Sequence, residues 1–308
     1  MRAVVYRRYG GPEVLEVVDL DEPKMAQDSV LVRIKAAGLN PADIKLRQGV
    51  MEQAMDAWFP VIPGWDLAGV VEAVGPAVGE FAVGDEVIGY VRQPILRYGT
   101  YAEKIATPSC TLVHKPRRAT WTEAAGLPLA ALTAYQAVVH ALDVADGETL
   151  LVHGGAGGVG SLAVQIAQAQ GARVIATGAE INHDYLRSLG AEATAYGDGL
   201  VERVRSLAPG GVHAVLDTAG RGSLATTASL ARPEVRVASI VDPTSYPGTI
   251  AVYARLDLED LTAVVRLVDD AKVTVRVGAT FPLDEAADAQ RFLETGEARG
   301  KVILDIGS

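Results

Sequence analysis

Residues 149–160 read Thr-Leu-Leu-Val-His-Gly-Gly-Ala-Gly-Gly-Val-Gly, an apolar stretch follows, and residues 171–177 read Gly-Ala-Arg-Val-Ile-Ala-Thr. The spacing predicts a strand, a glycine turn, an amphipathic helix and a second strand, the length of one βαβ unit. Gly155, Gly157 and Gly160 satisfy G-x-G-x-x-G at the strand-to-helix junction. Gly155 is expected to permit the tight turn, Gly157 to let the backbone approach a pyrophosphate, and Gly160 to allow close packing of helix on strand. Leu150, Leu151 and Val152 lead into the turn. Leu162, Ala163, Ile166 and Ala167 follow at helical spacing. The free N–H groups of the helix start then face negative charge, so the stretch reads as a dinucleotide site, with Ala156, Gly158 and Val159 as further backbone contacts.

The totals set limits. A chain of 308 residues is long enough for two domains, and 49% apolar residues supply ample core. A net charge of −10 argues against nucleic acid or an anionic membrane as partner. No window approaches a spanning helix. The opening Met-Arg-Ala-Val-Val-Tyr reads as a strand rather than a secretion signal, and Cys110 is the single cysteine, so the expected compartment is the cytoplasm.

Up to about residue 118 the chain is rich in short strands and turns. Val30, Val32 and Ile34 alternate, and Pro63-Gly64, Gly75-Pro76, Gly84-Asp85 and Gly99-Thr100 punctuate the runs, as in an antiparallel, barrel-like region. From Trp121 strands alternate with helices: 149–152, 173–177, 193–196, 212–216 and 235–241. That alternation predicts a doubly wound parallel sheet with its ligand at the carboxyl ends of the strands. After Asp257 a helix near 261–270, a strand at 273–277, a helix at 285–294 and a final strand at 301–306 are expected to return to the first domain. The predicted division is 1–120 with 259–308, and 121–258, the cleft between them being the expected meeting place of cofactor and substrate.

In sequence order, these segments resemble the medium-chain dehydrogenase/reductase superfamily, and more narrowly its zinc-free quinone oxidoreductase branch. They are Ala36-Ala37-Gly38-Leu39-Asn40-Pro41-Ala42-Asp43 with Arg47 and Gly49, and Pro63 through Val71. Gly84-Asp85-Glu86-Val87, Gly99 through Glu103, Leu127-Pro128-Leu129 through Tyr135, the glycine turn and Gly300-Lys301-Val302 complete the set. The resemblance implies an α/β chain, with a Rossmann doubly wound parallel sheet and a GroES-like β-barrel domain completed by the C-terminal tail. It also implies a homodimer.

The zinc-dependent relatives place a cysteine where this chain has Asn40, a histidine where it has Trp65, and a third ligand near Leu129. None of these can donate a thiolate or imidazole to zinc, and the five histidines fall on no H-x-x-x-H spacing. A metal-free site is expected. Just past Thr177, which would sit by the adenosine ribose, an NAD-selective fold carries an acidic residue; here Gly178 stands instead, which favours NADPH over NADH. Asn182 and His183 are candidate phosphate donors. Asn182 reads equally as a helix N-cap, and Glu180 as a ribose ligand.

The implied chemistry is hydride transfer to a quinone or an α,β-unsaturated carbonyl compound, with hydrogen bonds stabilising the developing oxyanion. Asn40 is the candidate amide donor. Lys45 either stabilises an enolate or is a solvated surface lysine. Thr133 either faces the nicotinamide or caps its own helical turn. Ile240 and Val241 are expected to end a strand and approach the nicotinamide with backbone atoms. Asp43 reads as a group that fixes backbone or a neighbouring cation rather than a proton donor, and Asp217 as one that satisfies a helix start. Two alternatives stay open: an enoyl reductase or cyclisation enzyme acting on one biosynthetic intermediate, and a low-turnover NADPH-binding sensor or structural protein.

Overall fold

The computed structural model describes residues 1–307. Along the chain, strands β1 (Arg2–Val5), β2 (Glu16–Asp19) and β3 (Ser29–Gly38) precede helix α1 (Pro41–Arg47). Strands β4 (Asp56–Ala57), β5 (Asp66–Val74), β6 (Glu86–Tyr90), β7 (Ile95–Leu96), β8 (Lys104–Pro108) and β9 (Leu112–His114) follow, then α2 (Trp121–Ala125) and α3 (Pro128–Tyr135). The alternating part comprises β10 (Thr149–His153), α4 (Gly158–Ala169), β11 (Arg173–Thr177), α5 (His183–Ser188), β12 (Glu192–Thr194), α6 (Leu200–Leu207), β13 (Val212–Asp217), α7 (Thr227–Leu230), β14 (Ala231–Ser239) and β15 (Ile250–Ala251). The tail holds α8 (Leu258–Asp269), β16 (Val277–Pro282), α9 (Ala286–Thr295) and β17 (Lys301–Asp305).

Two compact units result: residues 1–129, 256–269 and 275–308, and residues 130–255 with 270–274. The first unit keeps α2, beyond the boundary expected at residue 120, because α2 packs on β3, β5 and β17. A Cβ at Gly38 would lie 2.3 Å from the Ala125 carbonyl oxygen, so a side chain there would separate strand from helix. Residues 270–274 join the second unit because the Gln165 carboxamide clamps Thr274, donating to its carbonyl (3.0 Å) and accepting from its N–H (2.8 Å). The segment 273–276 is accordingly not the strand its apolar alternation predicts; the strand begins at Val277.

In the first unit the tail strand β17 pairs antiparallel with β3, which in turn pairs with β5, and the sheet runs β16-β17-β3-β5-β6-β9. The alternation read from Val30, Val32 and Ile34 places these side chains in a core with Leu67, Val87 and Leu304. This is the GroES-like β-barrel unit. The second unit is a six-stranded, wholly parallel sheet in the order β12-β11-β10-β13-β14-β15, the doubly wound Rossmann arrangement. Strand β14 starts and stops earlier than its apolar pattern suggests. Ser239 turns the chain: its Oγ accepts from the amides of Val241 (3.1 Å) and Asp242 (2.9 Å). Ile240 and Val241 therefore lie in the bend beyond the strand. No helix among the described residues is long and apolar enough to cross a membrane.

Candidate active site

In the second unit the glycine turn joins β10 to α4. The positive φ falls on Gly154 (+76°), not on Gly155, which corrects the expected division of labour. Gly154 donates to Thr177 Oγ1 (3.2 Å) and Gly155 to the Thr177 carbonyl (2.9 Å), so Thr177 ties the turn to β11 and is itself buried. A Cβ at Gly155 would stand 2.7 Å from that of Ala176; one at Gly160 would stand 2.3 Å from the Gly154 carbonyl oxygen. These two glycines serve close packing inside the protein.

Gly157 is different. Its φ is −76°, and a Cβ there would meet only the Gly154 oxygen at 3.4 Å, so the fold itself sets little demand for glycine. Gly157 is exposed and caps α4 without a side-chain hydrogen bond. The first bond of the helix runs from Ser161 N to Gly157 O (3.0 Å), which leaves the amides of Gly158, Val159 and Gly160 at its positive end. Ala156, Gly158 and Val159 are half-buried around this opening. The cradle fits a diphosphate.

Beyond Thr177, buried Gly178 has no side chain to oppose a 2′-phosphate. The His183 imidazole meets the Gly178 carbonyl at 3.2 Å, which holds the ring against the loop. Asn182 heads α5 but makes no side-chain capping bond, and its Oδ1 is buried without a partner, so the capping alternative for Asn182 is not realised. Glu180 is exposed.

At the ends of β13 and β14, Asp217 is fully buried and organises the chain more extensively than a helix start requires. Its Oδ1 accepts from Ala219 N (2.9 Å), Gly220 N (2.8 Å) and Ser223 Oγ (2.6 Å), and Oδ2 accepts from Ser239 Oγ (2.8 Å). The Ile240 amide donates to the Asp217 carbonyl (3.1 Å). Both amides of Ile240 and Val241 are thus committed, and their carbonyls are the backbone groups left to meet a ligand. His153, opposite Asp217 in the sheet register, is buried; burial pushes its pKa down to about 4 against the opposing pull of Asp217. Thr133 is buried in α3 within this unit.

The first unit holds a buried polar cluster built from four distant segments. Pro41 opens α1, and Asp43 Oδ2 reaches back to the Asn40 N–H (2.8 Å) at the helix start. Asn40 Nδ2 donates to Asp66 Oδ2 (2.9 Å), and Lys301 Nζ donates to Asn40 Oδ1 (2.5 Å) and the Leu39 carbonyl (2.8 Å). Lys301 stands 3.7 Å from Asp66, whose Oδ1 accepts from Leu129 N (2.9 Å). Tyr101 donates its hydroxyl to Asp43 Oδ2 (3.1 Å). Burial raises the Asp66 pKa and lowers that of Lys301, each partner offsetting the other's shift. Burial pushes Asp43 up to about 7 and holds Tyr101 well above the usual phenol range.

The structure thus brings Asn40 together with Asp43, Asp66, Tyr101 and Lys301. It does not bring Lys45 into the group. On α1 the neighbours Ile44, Leu46 and Arg47 turn inward and Lys45 is exposed, so the solvated alternative holds. Asp66 and Lys301 stand within the family-like motifs, whose spacing alone assigns them no role. The available signal was a charged residue heading each of two apolar strands, Asp66-Leu-Ala and Lys301-Val-Ile-Leu.

The three positions compared with zinc ligands have other occupations. Asn40 is engaged as described, Trp65 packs edge-on against Tyr90 (6.0 Å) beneath Arg92, and Leu129 offers its backbone N–H to Asp66. Among the described residues no group of three His, Cys, Asp or Glu side chains is placed to hold a metal ion.

Fold and site together define a dinucleotide-binding oxidoreductase with a GroES-like partner domain. Residues 26–117 match the alcohol dehydrogenase GroES-like domain and residues 189–304 the zinc-binding dehydrogenase family. The chain is 36% identical to an NADPH-dependent alkenal/one oxidoreductase, chloroplastic, of Arabidopsis thaliana, over 99% of this chain and 79% of that protein. It is 31% identical to a chloroplastic quinone-oxidoreductase homolog of Spinacia oleracea, over 99% and 98%. Among solved structures, an NAD-dependent alcohol dehydrogenase superposes with a TM-score of 0.92 at 34% identity, covering 100% of both chains. The Coxiella burnetii quinone oxidoreductase superposes at 0.87 and 29%, covering 99% of both. The chain belongs to the medium-chain dehydrogenase/reductase family, in its quinone oxidoreductase branch.

Proposed function

We propose that this protein is an NADPH-dependent reductase of quinones or α,β-unsaturated carbonyl compounds that works without a metal. The observation that carries the reading is the pairing of an uncapped helix start behind an unobstructed Gly157 with a first-unit cluster whose polar groups are amide, carboxyl and ammonium. Relatives named for alkenal/one and quinone reduction support the substrate class.

The amides of Ala156, Gly158, Val159 and Gly160 hold the diphosphate by charge-dipole attraction, and Gly155 and Gly157, whose own N–H groups are bonded within the protein, shape the turn and leave it room. Thr177 keeps that turn in register, and Asn182 and His183 line the place of the 2′-phosphate, where Gly178 imposes no carboxylate. The carbonyls of Ile240 and Val241 accept from the nicotinamide carboxamide, and Thr133 is assigned to the same ring. When bound, the reduced dinucleotide supplies a hydride. Asn40 has one amide hydrogen left after bonding Asp66, and we assign it to the substrate oxygen, on which charge develops. Lys301 steadies the Asn40 carbonyl oxygen and so fixes the direction of that hydrogen. Half-buried Met51 and exposed Trp58 and Phe59 offer an apolar wall to a bulky acceptor.

We further assign a homodimer and a cytoplasmic location. The exposed edge strand β15 supports the first, and a single cysteine, which leaves no intrachain disulfide, supports the second.

The test is absorbance-monitored oxidation of NADPH and of NADH across a panel of enals, enones and quinones. NADPH consumption with at least one of these acceptors is expected, with NADH poorer. Tight NADPH binding with no turnover on any acceptor would contradict the reading and favour a binding protein.

A further inference from the structure

Besides the Tyr101 phenol, the cluster around Asn40 contains three ionisable groups buried from water, Asp43, Asp66 and Lys301. One ammonium facing two carboxylates leaves a net negative charge in a low-dielectric interior unless one carboxyl keeps its proton. The hydrogen bonds say which. Asp66 receives donors on both oxygens, from Leu129 N and from Asn40 Nδ2, with Lys301 alongside. Asp43 receives its two donors, Asn40 N and Tyr101 Oη, on Oδ2 alone, and its Oδ1 is buried without a partner. An ionised Asp43 would hold its full charge with one oxygen bare, a cost that the neutral carboxyl lowers.

Asp43 also lines a narrow crevice of about 10 Å³, room for roughly one water, together with Tyr6, Pro63, Gly64, Trp65 and Arg97. Asp43 Oδ2 accepts from the backbone N–H of Asn40 (2.8 Å), the residue whose side-chain amide is assigned to the substrate oxygen. Resting on the reductase reading above, we propose that Asp43 is the proton source of the reaction, its carboxyl proton passing to the α-carbon of a substrate held at Asn40. The step balances. Hydride forms a C–H bond at the β-carbon and the C=C π pair moves to the enolate. The enolate then forms its α C–H bond with the Asp43 proton, leaving the carboxylate, and solvent restores the acid. One hydride and one proton complete the two-electron reduction.

The groups that face Asp43 are Asp66 and the phenols of Tyr101, Tyr6 and Tyr90, with the Lys301 ammonium acting on it; Arg47 of its own helix neighbours Tyr6. Burial raises its pKa to about 7, while the Asn40 and Tyr101 hydrogen bonds and Lys301 pull the other way. The acid form is lost as pH rises, so turnover falls on the alkaline side.

The experiment has two arms on the full chain. In the first, carbon-13 NMR follows the aspartate carboxyls with pH, without cofactor or substrate. A titration near neutrality that disappears in Asp43→Asn is expected; an Asp43 already ionised in mildly acidic buffer overturns the proposal whatever the protein's activity. In the second, kcat is measured against pH with an accepted enone. Asp43→Asn is expected to lose on the order of 100-fold and its alkaline limb. Tyr101→Phe removes a hydrogen bond that favours the carboxylate, so its limb moves to higher pH, and it serves if the first variant fails to fold. An unchanged rate and limb in Asp43→Asn, or an unmoved limb in Tyr101→Phe, overturns the proposal. Absence of turnover in the unaltered protein would instead overturn the reductase reading, which separates the two failures.

Discussion

The glycine turn of the second unit and the buried cluster of the first handle charge by opposite means. The turn offers main-chain amides, no ionisable side chain, and space kept free by the absence of a Cβ. The cluster offers two carboxyls, an ammonium and a carboxamide, each held by the next. The first arrangement is fixed in charge and suits a constant anion. The second can gain or lose a proton and suits a reaction in which charge appears and is quenched.

Perturbing each region separates the two designs. Lys301→Met removes the ammonium from Asp66 and Asn40 and leaves buried charge uncompensated, so a loss of about 3–5 kcal/mol is expected by denaturant unfolding. A loss below ~1 kcal/mol would show that the cluster carries no charge needing a partner.

The second unit has its own buried titratable group in His153. Its folded pKa, about 4, lies below the unfolded value of 6.5, so its contribution is present above pH 6.5 and is lost as pH falls through about 4. Across that window the parent protein should lose roughly 3 kcal/mol of unfolding free energy relative to His153→Leu, the contribution of Asp43, raised to about 7, being common to both proteins. Equal acid profiles for the two proteins would place the imidazole in water.

Within the turn, two glycines of one motif should part company. Gly160→Ala drives a Cβ toward the Gly154 oxygen and should cost about 1–3 kcal/mol of stability along with NADPH affinity. Gly157→Ala should leave stability within about 0.5 kcal/mol yet weaken NADPH roughly tenfold. Calorimetry paired with titration checks both; equal stability losses would mean that Gly157 serves the fold and not a ligand. The smallest effect is expected at Lys45→Ala, with kcat/KM within about twofold of the parent, since Lys45 is exposed.

The same contrast explains what the sequence disclosed. The turn was legible because its demands are local: Gly155, Gly157 and Gly160 stand at fixed spacing between a predicted strand and helix. Even there, the positive φ belongs to Gly154, since a spacing rule does not say which peptide turns. The Rossmann strands were legible by apolar runs, except where a polar side chain overruled the pattern, as Ser239 does by capping β14 and throwing Ile240 and Val241 into a bend. The cluster was much less legible. Asn40, Asp66 and Lys301 are brought together by the pairing of β17 with β3 and of β3 with β5, Tyr101 is held by backbone bonds with Val4 and Pro63, and no local pattern announces that a lysine at residue 301 will bond an asparagine at residue 40. Lys45 shows the converse error: a residue type suited to the chemistry, on the outward face of its helix.

The central proposal is that amide, carboxyl and ammonium groups, rather than a bound cation, act on the substrate. The most direct measurement is the rate of NADPH consumption with an accepted enone after exhaustive chelation and metal analysis of the protein. A rate unchanged by chelation in metal-free protein is predicted; activity lost on chelation and recovered by adding zinc would contradict the account.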